Sequence, residues 1–178
     1  MIGPEFQEFL DELAAESDRA AALLAGAYLD SRLELLLRSR LVSDEPMIRK
    51  LFESNGALST FSSRISIAYG AGLIAQRTAL DLHLVRAIRN DFAHKLHGLT
   101  FQADSMKSRV SEIRATQFAK EDGLFANDHP TATRRRFNVA VALLIFFEIE
   151  PRIDHTTRLT EQSPSPIPEL APAGYLPP

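Results

Sequence analysis

Residues 137–149 read Phe-Asn-Val-Ala-Val-Ala-Leu-Leu-Ile-Phe-Phe-Glu-Ile, apolar nearly all the way round a helix. As an α-helix this run advances about 20 Å, well short of the ~30 Å hydrocarbon core of a bilayer. It therefore has to be a buried core helix or a helix at a dimer interface, and the rest of the chain must wall it in. The flanking pattern extends the helix from Thr131 to about Leu159, with Pro151 placed to kink or end it.

The wall is helical too. Phe6, Phe9, Leu10 and Leu13 share one side of a helix from Pro4 to Ala15, with proline suited to the first turn. Ser17 or Asp18 caps a second helix running to about Leu41, whose apolar face includes Leu23, Leu24, Ala27, Tyr28, Leu33, Leu36 and Leu37. Asp44-Glu45-Pro46 restarts the chain as a short helix to Ser54, ended by Asn55-Gly56. Ser59 or Thr60 caps a helix to Gly70, and Gly70, Gly72 and Gln76 mark a break. A helix from about Arg77 follows, with Leu80, Leu84, Ile88 and Phe92 as its core stripe and Val85 beside them. Residues 103–115 read as a more exposed helix with Met106, Val110 and Ile113 on one face, and 120–130 as a loop. No strand pattern and no internal repeat occurs. The expected fold is an all-α, compact bundle of about six to seven helices over residues 1–160. Residues 161–178 are a proline-rich tail that cannot be helical, with six prolines from Gln162 onward.

Composition narrows the function classes. The chain has 178 residues, 45% of them apolar and 24% charged, with a net charge of -3. That balance exerts no global attraction on nucleic acid. With no cysteine, a disulfide scaffold and a cysteine-ligated zinc site are excluded. Asp and Glu among the first apolar residues argue against a signal peptide, so the expected compartment is the cytoplasm, with no membrane contact.

The chemistry-bearing stretch is Arg89-Asn90-Asp91-Phe92-Ala93-His94, at the end of the fifth helix. Arg86, Asn90 and His94 recur at four-residue intervals, on a polar face separate from the apolar stripe. Asp91 is placed to pair with Arg89 or His94. One reading is a solvated helix end, where the dipole favours a cation. The other is a site. Of the five histidines, only His94 and His97 lie near Asp91, and no metal-ligand spacing results, so neither a metal nor a cofactor is expected. There is no dinucleotide or phosphate-binding glycine loop, no hydrolase serine elbow and no helix-turn-helix. Arg134-Arg135-Arg136 opens a helix, where the dipole does not favour cations. With Arg86 and His97 it forms the candidate set for binding a nucleic acid or another partner.

Several blocks in order resemble the mannitol-operon-repressor (MltR/MtlR-like) family. They are residues 16–24, residues 28–36, residues 51–65 (with Leu51-Phe52-Glu53-Ser54-Asn55-Gly56), Tyr69-Gly70-Ala71-Gly72-Leu73-Ile74 and residues 88–94. The resemblance spans roughly residues 6 to 100. It implies an all-helical regulator without a recognised DNA-binding motif, acting as a dimer through protein or nucleic-acid partners. Arg89, Asn90 and His94 also resemble the R-x4-H motif of HEPN domains, many of which are metal-independent endoribonucleases working as dimers. That resemblance implies a catalytic set of Arg89, Asn90 and His94 drawn from two protomers. Three readings stay open: a helical transcriptional regulator, a HEPN-type ribonuclease of a toxin-like kind, and a non-catalytic interaction module. The candidate partners are a second copy, RNA or DNA, and a protein docking on the C-terminal tail through Tyr175 and Leu176.

Overall fold

The first four helices start where a side chain accepts a free amide or a proline removes one. The computed structural model describes residues 3–41, 44–95, 98–117 and 133–154. Helix α1, Pro4–Ala15, has proline in its first turn and buries Phe6, Phe9 and Leu13. Helix α2, Asp18–Arg38, is capped by Ser17, whose hydroxyl accepts the Ala20 amide at 3.2 Å. Asp44 caps α3, Glu45–Phe52, in the same way at 3.1 Å. Thr60 opens α4, Phe61–Gly70, through a reciprocal capping box with Ser63. Helix α5 is Gln76–His94 and α6 is Asp104–Glu112. Helix α7, Thr133–Leu143, runs into a π-helical turn, Leu144–Ile149, and then α8, Glu150–Asp154. Among the described residues there is no strand, and no helix is long and apolar enough to cross a membrane.

The apolar run is a core helix. Residues 137–145 are all buried, and Ile149 with them. Pro151 neither ends the helix nor breaks it. The Glu150 amide bonds to the Ile145 carbonyl, five residues back, so the hydrogen-bond register has already widened one residue before the proline. Helix α2, about 32 Å long, is the hub. It touches α1, α4, α5, α7, the π-turn and α8. Buried apolar residues from Phe6 to Ile149 form one cluster.

One expectation changes. Leu80 is not in the core stripe; it is 53% exposed. Steps of four residues drift about 40° each around a helix, so by Phe92 the stripe has turned away from Leu80. Helix α6 is exposed along most of its length, as its pattern predicts, and Met106, Val110 and the following Ile113 are the residues it buries. The 120–130 loop, His97, His129, His155 and the 161–178 tail, including Tyr175 and Leu176, lie outside the described residues.

Candidate functional site at the end of α5

Aromatic packing fixes where the hexamer sits. Phe92 stacks on Phe101 with ring centroids 4.9 Å apart, and Phe101 on Phe137 at 5.0 Å. The end of α5 is thereby clamped to the start of the core helix. Asp18, at the head of α2, closes the same corner, accepting the Phe101 amide at 2.9 Å and the Arg134 guanidinium at 3.3 Å.

On this platform Arg89 and His94 are exposed and Asn90 is half-buried. Arg89 Nη1 donates to Asn90 Oδ1 at 3.0 Å. The stem of Arg89 lies across Gly26 of α2: a Cβ there would sit 2.7 Å from Arg89 Cγ. A glycine inside a helix costs about 1 kcal/mol against alanine, and here it makes room for the arginine. Asp91 turns the other way. Its Oδ2 accepts Arg109 Nη1 of α6 at 2.6 Å, so its recorded ion pair is with neither Arg89 nor His94. Arg86 is half-buried, and its Nε has no hydrogen-bond partner. Its neighbour His83 is held below the ordinary imidazole pKa of 6.5, first by burial and then by the Arg86 charge.

The arginine triplet divides. Arg134 Nη2 donates to the carbonyls of Leu13 at 2.8 Å and Ala14 at 3.3 Å, and also to that of Glu16. It therefore closes the C-terminus of α1, where the helix dipole favours a cation. Arg136 reaches the Ser111 carbonyl at 3.4 Å, and Arg135 is exposed. Arg86, Arg89, Asn90 and His94 thus share the C-terminal half of α5, with Arg89 and Asn90 bonded to each other, while Arg134 is tied through Asp18 to the same corner and Arg136 to the end of α6.

Two polar constellations escaped the sequence reading. Arg64, only 8% exposed, pairs with Asp30 at 2.7 Å and Glu34 at 2.8 Å, and donates to the Leu58 carbonyl at 2.8 Å. Its guanidinium and that of Arg38 both lie over the Phe52 ring. Arg64, Asp30 and Glu34, with Arg89, line a groove of about 610 Å³ between α2, α4 and α5. Asp81 is the second. It is buried, and its oxygens accept the amides of Arg114 and Ala115 at 3.1 and 2.8 Å. A usable signal existed: Asp81 is in phase with Val85 and Ile88, a carboxylate at a core position. Among the described residues no three His, Asp or Glu side chains converge as metal ligands.

Fold and site together define an all-helical bundle with a polar, partly exposed helix end. No family model matches the sequence, and no characterised relative matches it. Among solved structures the fold is similar to a chain in an X-ray structure of the MtlR-HPr complex from Escherichia coli. The TM-score is 0.60 and the identity 19%, over 83% of this chain and 97% of that one. At that identity the likeness establishes the architecture alone.

Proposed function

We propose that this chain is a helical regulatory protein that acts by docking a protein partner, without catalysis of its own. The observation that carries the reading is the likeness to MtlR along 97% of that chain, in a structure that holds MtlR in complex with HPr. The hexamer agrees with it. Arg89 is spent on Asn90 and on packing over Gly26, and Asp91 on Arg109. As part of the same proposal the chain works as a homodimer. Large apolar side chains left outside the core, among them Met47, Ile67 and Tyr69, supply surface for self-association. Sedimentation velocity at micromolar concentration is expected to give twice the chain mass, and a monomer throughout removes this part of the proposal.

One observation favours a second reading. Arg89 and His94 are both exposed, and neither has an ion pair among the described residues. In a metal-independent ribonuclease Arg89 would hold the phosphate oxygens, Asn90 would orient the phosphate, and His94 would move the proton of the 2′-hydroxyl. One imidazole cannot serve as base and acid in the same step, so a second His94 from a two-fold partner is required.

The purified chain separates the two. Expected are a complex with HPr in calorimetric titration, retained in His94→Ala, and intact single-stranded and structured RNA after incubation with EDTA. RNA cleavage that disappears in His94→Ala and Arg89→Ala, with circular dichroism unchanged, overturns the regulator in favour of the nuclease.

A further inference from the structure

A second groove, of about 520 Å³, separates α5 from the end of α6. One wall carries Leu80, His83 and Leu84, and the other Ser111, Arg114 and Gln117. We propose that this groove docks an acidic amphipathic helix of a partner protein, its apolar ridge on Leu80 and Leu84 and its carboxylates on the surrounding arginines. The proposal rests on the protein-docking reading above and names the surface and the partner's chemistry.

Three observations carry it. Leu80 and Leu84 stand one turn apart; Leu80 is 53% exposed and Leu84 is half-buried against the core, so an apolar ridge with one open leucine runs along the wall as a second helix would meet it. The charge around the ridge is one-sided. Asp81 is buried and spent on two backbone amides, and Asp91 is spent on Arg109. Glu112 is the one remaining carboxylate among the described residues of these walls. Against it stand Arg114, exposed in the wall, Arg136, which bonds to the Ser111 carbonyl, and Arg86, whose charge reaches His83. None of these three arginines makes an ion pair among the described residues. In a chain of net charge -3, arginines without an ion pair among the described residues thus stand in the groove wall (Arg114) and beside it (Arg136 at Ser111, Arg86 at His83), the complement of an acidic helix. The third observation selects protein over nucleic acid. Among the described residues no aromatic ring for base stacking lines the groove, and the net negative charge opposes a polyanion at long range.

The test uses the full chain and a fluorescein-labelled helical peptide of about 18 residues, with leucines at three- and four-residue spacing and glutamates elsewhere. A twin carries lysine for every glutamate. The glutamate peptide is expected to bind at least about tenfold more tightly than its twin and to weaken between ~50 and ~300 mM salt. Leu80→Asp and Arg114→Glu are each expected to cost about tenfold in affinity, with circular dichroism and thermal midpoint unchanged. Lys50→Glu, at an exposed residue of α3 remote in sequence from the groove, is expected to change nothing. Equal binding of the twins, binding of neither, or indifference to both substitutions overturns the proposal. So does a single-stranded RNA of about 20 nucleotides that binds more tightly and displaces the peptide. Should HPr bind Leu80→Asp as it binds the parent chain, the groove falls while the protein-docking reading stands. RNA cleavage that needs His94 removes that reading itself.

Discussion

Arg134 closes the end of a helix to which it does not belong. Its own helix begins one residue earlier, where a cation is unfavourable, yet its guanidinium lies on the carbonyls of Leu13, Ala14 and Glu16 at the end of α1. The dipole argument was sound, but the helix that satisfies it is more than a hundred residues away in sequence. Arg134→Ala leaves those carbonyls and Asp18 without their cation. It is expected to lower the unfolding free energy by about 1–3 kcal/mol, read as a lower urea midpoint with unchanged slope. Arg134→Lys is expected to restore part of the loss, because a single ammonium lacks the guanidinium fork that spans several oxygens. A midpoint unchanged in Arg134→Ala returns this residue to the candidate binding set. Gly26 teaches the same lesson. A glycine inside a helix is a local weakness, and its reason here is Arg89, supplied by another element.

At the scale of the element, the local signals were legible and the helical phase was less so. Ser17, Asp44 and Thr60 are all caps, and Pro4 opens α1. These depend on residues within one turn, which a sequence displays directly. The stripe on α5 was read one turn too far, to Leu80, because a four-residue step slowly leaves the face it began on. The same error hid Asp81, which occupies the core-facing position that Leu80 was given. Burial raises the Asp81 carboxyl above its ordinary pKa of 3.8, while the amides of Arg114 and Ala115 pull it the other way. The folded chain therefore binds this proton more readily than the unfolded chain. As pH falls from neutral through the raised value towards 3.8, Asp81 adds stability, opposite in sign to a carboxylate held by a salt bridge. Urea melts of the parent chain and Asp81→Asn at pH 7 and about pH 4.5 check this sign. The parent is expected to gain on the variant as pH falls. A gap that stays constant or moves the other way means that the two backbone amides outweigh burial.

For the molecule as a whole, the apolar run 137–149 predicted the architecture because such a helix requires a helical wall, and α1, α2 and α6 supply it. The sites resisted the same treatment. The pairing of Asp91 with Arg109 and the Arg64–Asp30–Glu34 cluster join residues 18 to 34 positions apart. Helical periodicity says which face a residue occupies, not which element lies opposite. The described buried apolar residues from Phe6 to Ile149 form one cluster, so α1 to α8 are expected to melt together, and we propose that the domain ends near residue 160. A chain shortened to residues 1–160 should unfold in a single transition, with far- and near-ultraviolet signals coincident. Its midpoint should lie within about 2 °C of the full chain, since about 1 kcal/mol shifts a domain of this size by roughly 2–4 °C. A larger fall, or a second transition lost on truncation, would place residues 161–178 among the elements that hold the bundle. The proline-rich segment would then have to be counted as part of the fold and no longer as a tail free to meet a partner.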